Sequence, residues 1–500
     1  MNRRQFGLAS IGALTTSLAG CGQLDAVLGG NTSDGGENWG AYRGDVARTG
    51  RIAAEEGPGE SLSFAWQLRY EDIAEEVEDI DLSNGLVMGT HSTWPLLADD
   101  LLIWGVQFQS RNNERPGETY MTHRRLVATD TSGAIKWSRE LPVLANGNAV
   151  PYFGHRIDDG QIYQPTVPAD YRRDATDAEG ETAPRDSLGV TVLDPETGET
   201  ERELDLGLSS AGNMIVDDGR IFVEISVDDT DERGLYAFDA ESGVEKWAVD
   251  TMVETTAPFG SLAGDTIIYA RETEEDEPTD LLARNIDDGD LAWDTPLDIS
   301  GPHLEPVSDP LGFTLPTIAE DIYTAGSRQG SGGWMSPLVA LDTEDGAERS
   351  RYRPPGIEGE NHPYLELSDV TEQNVDELPP ASGVYGMPLP MDDLVVATGY
   401  GAFGGNDDPE TFHCFAIEDG SLAWSVEIGE TIGIPVAAGD VIYDTSTPGV
   451  KAISTEGDVL DSVNYAEHNV SISWSATPNP PAIGNGLLYV PVGDGIIAIE

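Results

Sequence analysis

The stretch Leu235-Tyr236-Ala237-Phe238-Asp239-Ala240-Glu241-Ser242-Gly243-Val244-Glu245-Lys246-Trp247 decides the fold. An apolar strand reaches a polar turn that ends in Gly, and a second strand leaves it. The Gly supplies positive φ, and the Asp side chain bonds its own turn backbone, so the stretch reads as a β-hairpin. Leu126 to Trp137, Ala283 to Trp293 and Ala416 to Trp424 repeat it, and in each strong copy Gly and Trp stand four apart. Val192 to Arg202, Ala340 to Ser350 and Ala452 to Asp461 are copies without the tryptophan. The Trp is expected to pack on the next unit, because one repeat cannot bury its face alone.

Outward from each hairpin lies a second motif, a tight acidic or glycine turn before a β-branched and aromatic pair. It occurs eight times: Ala98–Trp104, Asp158–Tyr163, Asp217–Phe222, Gly264–Tyr269, Glu320–Tyr323, Asp392–Val396, Gly439–Tyr443 and Gly484–Tyr489. The spacing, roughly 46 to 73 residues, is that of an array or a propeller. Each unit therefore holds four strands, and seven complete units run from about 95 to 465. The eighth has three and stops at Glu500. Its missing outer strand is Ser63-Phe64-Ala65-Trp66-Gln67-Leu68, with Trp66 in the place of Trp137. A chain that lends its first strand to its last blade closes a ring and hides its sheet edges. The expectation is an all-β, eight-bladed propeller of four-stranded antiparallel blades over 39–500, the last blade closed by an N-terminal strand.

Ala-x-Asp, a short turn and Gly-x-x-x-Trp resemble the repeat of pyrroloquinoline-quinone-like (PQQ-like) propellers. That superfamily includes quinoprotein alcohol dehydrogenases and an outer-membrane assembly lipoprotein. The full spacing with its Asp survives in Ala237 to Trp247, and Trp39-Gly40-Ala41-Tyr42-Arg43-Gly44-Asp45 is similar to the family's lead-in. The resemblance implies the fold. It leaves function open, since one scaffold hosts many sites.

The N-terminus reads as an address. Asn2-Arg3-Arg4-Gln5-Phe6-Gly7-Leu8 has the twin-arginine form, and Leu18-Ala19-Gly20-Cys21 is similar to a lipobox. Residues 1–20 are expected to be a signal peptide read through Arg3 and Arg4, and Cys21 to carry lipid. Residues 22–38, rich in Gly, Ser, Asn and Asp, make a tether with a root-mean-square reach of roughly 20–25 Å. The expected location is the outer face of the cell membrane, lipid-anchored.

Formal charge is −63, with 90 acids against 27 Lys and Arg, and Lys occurs only at 136, 246 and 451. Such a charge repels itself at low salt and is screened at molar salt, where the Debye length falls to about 3 Å. The composition resembles that of halophilic archaeal proteins. A surface this acidic excludes nucleic acid as a partner. Once Cys21 is acylated, Cys414 is unpaired, and its setting between Phe412 and Phe415 reads as a buried apolar filler.

Antiparallel order puts both tight turns of every blade on one face. The long connections Arg69–Trp94, Gln107–His123, Gln164–Ser187, Leu297–Leu315, Ser327–Met335 and Pro354–Pro388 fall on the other. Long loops on a rigid scaffold are where function resides. The residues available there for a protein or glycan partner are His91, Trp94, His123, Tyr171, Arg172, Arg173, Trp334, His362, Tyr364, Tyr385 and Trp474.

Quinoprotein dehydrogenases hold their cofactor with adjacent cysteines, and this chain has none; a Cys-x-x-Cys-His haem motif is missing as well. The seven His have no metal-ligand spacing, and no nucleophile elbow or phosphate-cradling glycine loop is present. Neither PQQ nor calcium is expected. The reading is a non-catalytic, exported binding scaffold; the alternative is a membrane-tethered PQQ-dependent oxidoreductase or other enzyme with a degenerate site.

Overall fold

The computed structural model describes residues 44, 50–76, 86–91, 94–111, 120–141, 154–166, 188–208, 214–225, 234–249, 260–271, 279–297, 317–319, 321–325, 338–352, 384–399, 411–429, 434–446, 448–471 and 480–500. Eight antiparallel sheets form an all-β propeller. Blade 3 shows the plan: Met214–Asp217, Arg220–Ile225, Gly234–Asp239 and Glu245–Val249 follow one another from the innermost strand to the outermost. The same meander runs over 96–141, 156–208, 261–297, 317–352, 384–427 and 436–464. Blade 8 takes Ala482–Gly484, Leu487–Val492 and Gly495–Ile499 from the C-terminus and Phe64–Arg69 from the N-terminus. The closing register pairs Trp66 with Ala498, Gln67 with Ile497 and Leu68 with Ile496. Ser63 and Glu500 exchange backbone hydrogen bonds at 2.6 and 2.9 Å, so the two ends of the chain stand in for a hairpin turn.

The first turns explain their own composition. Asp159-Gly160, Asp218-Gly219 and Asn485-Gly486 all have positive φ at both central residues. That backbone matches the twist of the flanking strands and suits Asp or Asn followed by Gly.

The core is a series of layers between blades. Along the second strand of blade 3, Ile221 and Val223 bury toward blade 2 while Phe222 buries toward blade 4. Period-2 alternation thus serves two neighbours, and these strands read as continuous apolar runs. Each fully buried Leu, Ile or Phe contributes about 1.5–3 kcal/mol. The seam is not a weak point. One continuous cluster runs through blades 7, 8, 1 and 2, with Trp66 and Phe64 packed against it.

The tryptophans act as expected, and the structure supplies their partners. Each indole Nε1 donates to a carbonyl in the hairpin turn of the next blade. Trp66 bonds Thr131 at 2.8 Å, Trp137 bonds Pro195 at 2.8 Å and Trp247 bonds Ile286 at 2.9 Å. Trp293 bonds Thr343 at 3.2 Å and Trp424 bonds Thr455 at 2.7 Å. The next blade's glycine lies flat on the ring: a Cβ on Gly133 would stand 2.9 Å from Trp66, and one on Gly198 2.7 Å from Trp137. In blade 2 the position belongs to Arg202, whose Nη2 donates to the Ala240 carbonyl at 3.3 Å. In blade 7 it belongs to Asp461, which accepts from the Leu62 amide at 2.9 Å.

Two sheets carry a fifth strand beyond the expected four. Leu86–His91 pairs with Leu101–Arg111 of blade 1. Arg51–Ile52 pairs in parallel with the innermost strand of blade 7, Val436–Ala438. From there residues 53–62 form a strap over the tight-turn face. The Glu56 carbonyl accepts from Gly486 of blade 8, the Tyr443 hydroxyl meets both the amide and the carbonyl of Gly59, and Leu62 reaches Asp461 at the rim of blade 7.

Candidate partner-binding face

The tight-turn face carries ion pairs that link neighbouring blades. Arg51 bonds Asp392 at 2.6 Å, linking the strap to blade 6, and Arg220 joins Asp218 of blade 3 to Asp287 of blade 4. Asp158 and Asp217 end the inner strands of adjacent blades. Burial first, then neighbouring carboxylates, pushes each up to about 6. Among the described residues no group of three or more His, Cys, Asp or Glu could hold a metal ion.

The opposite face is built up above blades 8 and 1. Strands Leu101–Arg111 and Tyr120–Asp130 have 11 residues each, where the matching strands of blade 3 have 6. Leu86–His91 flanks the extension, so a three-stranded finger continues blade 1 beyond the ring. Helix Tyr70–Glu76 follows the closing strand directly. The Asp72 carboxylate accepts from the Arg69 amide at 3.0 Å, and the Asp494 carbonyl accepts from Tyr70 at 2.9 Å. Tyr70, Ile73 and Ala74 are buried, with the Tyr70 ring 6.4 Å from that of Trp104. Part of the Arg69–Trp94 connection is therefore a cap on the seam.

At the head of the inner strands of blades 1 and 2 lies a buried polar cluster that the sequence reading did not single out. The Arg156 guanidinium stands 5.0 Å from the Trp94 ring centroid, and its Nη1 donates to the carbonyls of Gly154 at 3.1 Å and His155 at 2.9 Å. Burial lowers Arg156 to about 9. His155 is fully buried, its Nε2 lies 3.0 Å from the Ile103 carbonyl, and burial drives its pKa down to about 3. Neutral His155 with a proton on Nε2 is the form that suits this contact. A signal did exist: the repeats place Arg156 opposite Leu96, Ile215 and Val436, apolar residues at the same distance from their turns.

The residues expected to form the face distribute as follows. Trp94 is 6% exposed and lies beneath Arg156, so its ring belongs to the blade 1–blade 2 contact. His91 is in the finger at the row of Val106, and His123 at the row of Phe108, two rows apart on the strands flanking Leu101–Arg111. Tyr385 is in the first strand of blade 6, paired with Thr398. Tyr171, Arg172, Arg173, Trp334, His362, Tyr364 and Trp474 lie outside the described residues, as do Arg3, Arg4 and Cys21. Cys414 is fully buried between blades 6 and 7, and burial pushes its thiol up to about 12. Its place is that of the buried apolar filler expected from its neighbours Phe412 and Phe415.

Comparison with known proteins agrees with this architecture. A family model described as outer membrane protein assembly factor BamB matches residues 125–348. The quinohemoprotein alcohol dehydrogenase of Comamonas testosteroni is similar at 14% identity over 96% of this chain and 84% of its own, with a TM-score of 0.51. BamB from Moraxella catarrhalis is 14% identical over 88% of this chain and 97% of its own, with a TM-score of 0.45. At this identity the likeness is one of fold. No curated protein matches the chain. The eight blades and the family match over 125–348 show a propeller similar to those of PQQ-like proteins.

Proposed function

We propose that the chain is exported by the twin-arginine route, anchored through lipid on Cys21, and acts as a non-catalytic scaffold on the outer face of the cell membrane. The long-connection face is the platform, and its partner is a protein or a glycan. One observation carries the reading: the ring presents a plain face of short acidic turns and a face extended by a finger, a helix and long connections. Investment of chain on one side of a rigid scaffold is the pattern of a binding surface. The BamB family match over 125–348 supports a scaffolding role, and the burial of Cys414 supports a non-catalytic one.

The test is deletion of residues 355–383, which leaves the blade 6 strand Val384–Pro390 in place. Pull-down from native membranes in molar salt should lose the partner while the thermal midpoint stays within a few degrees. Unchanged capture would refute the platform assignment. A dye-reduction signal on adding PQQ and calcium would instead support the oxidoreductase reading.

A further inference from the structure

The connection from blade 7 to blade 8 carries a three-residue pattern with its own chemistry, Asn469-Val470-Ser471. An asparagine followed two residues later by a hydroxyl, with no proline between, is the acceptor pattern for N-linked sugar. The structure describes four asparagines, and three of them use their side chains inside the fold. Asn285 Oδ1 accepts from the Asp287 amide at 2.8 Å, Asn464 Oδ1 accepts from the Ala466 amide at 2.9 Å, and Asn485 Nδ2 donates to the Asp99 carbonyl at 2.9 Å. Asn469 differs. It is exposed, and among the described residues its hydrogen bonds run through the backbone alone. Its N–H donates to the Tyr465 carbonyl, and its own carbonyl accepts from Arg69 Nη2 at 3.5 Å. It ends the short helical turn Tyr465–His468 in the left-handed region, with φ 58°. That backbone suits glycine or asparagine, and it makes no use of the side-chain amide. The residues on either side are anchored: the His468 ring stacks on Phe64 with centroids 4.2 Å apart, and Val470 is buried. A fixed turn therefore presents Asn469 to solvent, and Ser471 is exposed beside it.

We propose that Asn469 is a glycosylation site, modified at the outer face of the membrane. The inference rests on the export reading above. The twin-arginine route carries folded chains, so an acceptor has to be exposed in the finished fold, and Asn469 is. The donor is an oligosaccharide carried on a lipid phosphate, and a membrane transferase brings it to the chain. The amide nitrogen of Asn469 attacks C1 of the first sugar. The N–C1 bond forms, the bond from C1 to the phosphate oxygen breaks, and the lipid phosphate leaves with the bonding pair. The amide proton passes to a base on the transferase, and no oxidant or reductant takes part. A sugar is bulky and hydrated. At Asn469 it stands next to Arg69, where helix Tyr70–Glu76 begins, and shields the blade 7 side of the platform. A second copy of the pattern, Asn31-Thr32-Ser33, lies outside the described residues.

The experiment uses the full-length protein isolated from its native membranes in molar salt, mapped peptide by peptide with mass spectrometry. Protease added to intact cells reads export separately. The expected result is exported protein whose Asn469 peptide carries sugar, with complete loss of that glycopeptide in Asn469→Gln and in Ser471→Ala. The second variant keeps the asparagine and its left-handed turn and removes only an exposed hydroxyl, so its thermal midpoint should not move. Peptide mapping keeps any sugar on Asn31 apart from the result. Exported protein with a bare Asn469 peptide overturns the site and leaves export standing. Protein that stays protected inside the cell, with a bare peptide, overturns the export reading and the site with it. Sugar that persists on the same peptide in Asn469→Gln also overturns the assignment.

Discussion

The indole nitrogen of Trp66 lies 2.8 Å from the carbonyl oxygen of Thr131, and the two residues belong to blades 8 and 1. This bond crosses the seam where the chain's first blade meets its last. Trp66→Ala should cost about 2–4 kcal/mol, the packing of a large ring plus one hydrogen bond. Gly133→Ala should also destabilise, because Gly133 has φ +82° and a Cβ there would press on the Trp66 ring. Urea unfolding in molar salt reads both. If neither variant moves the midpoint, the seam is held by the strand pairing alone.

The strap makes a separate prediction. Tyr443→Phe removes the hydroxyl that bonds the Gly59 amide at 3.0 Å and its carbonyl at 3.1 Å. A loss of about 1–2 kcal/mol is expected, since two backbone groups lose their partner. Amide exchange at Gly59 should speed up in step. Slow exchange in the variant would mean that the strap is secured elsewhere.

The buried acids give a pH signature. Asp217 titrates near 6 in the fold because burial, then Asp158 and Asp218, disfavour its charge. In the unfolded chain it titrates near 3.9. Its charged form therefore destabilises at neutral pH, and that cost fades as pH falls through 6 toward 4. Asp217→Asn should stabilise by about 1–2 kcal/mol at pH 7.5 and by much less at pH 4. His155 runs the other way. Its folded pKa of about 3 lies below the unfolded value, so its contribution is complete above about 6.5 and is lost progressively as pH falls toward 3. Denaturation at a series of pH values separates the two; a gain for Asp217→Asn that persists at pH 4 would contradict the assignment.

Cys414 should be silent toward maleimide at pH 8 in the native state and react fully in guanidinium. Its side chain is fully buried and its thiol is pushed up to about 12. Rapid labelling of the native protein would show that blade 6 opens.

Salt completes the set. With a formal charge of −63, the thermal midpoint should fall as salt drops from 3 M to 0.1 M, where the Debye length grows to about 10 Å. A flat midpoint would remove the case for a salt-adapted surface.

The ring was legible because its instructions repeat. Asp-Gly turns need positive φ, Gly stands four before Trp, and Trp66 matches Trp137, so blade count and closure follow from local chemistry. The strap was not legible. Arg51–Ile52 is two residues long and lies parallel to its neighbour, and no periodicity can register so short a pairing. Helix Tyr70–Glu76 and strand Leu86–His91 occur once each, so comparison between repeats could not find them. Arg156 was visible in principle, as a charge where blades 1, 3 and 7 place Leu96, Ile215 and Val436, but its stacking on Trp94 depends on tertiary packing. Trp94 was assigned to the binding face from its connection; the structure buries it under that same arginine.

At the five junctions where a turn glycine seats the tryptophan of the blade before it, a sequence repeat carries one half of two different contacts: the socket for its predecessor and the plug for its successor. A gene segment of one repeat length, duplicated or excised in frame between such junctions, therefore leaves each tryptophan facing a glycine turn. Rings of this kind can change their number of blades by recombination without first inventing a new interface.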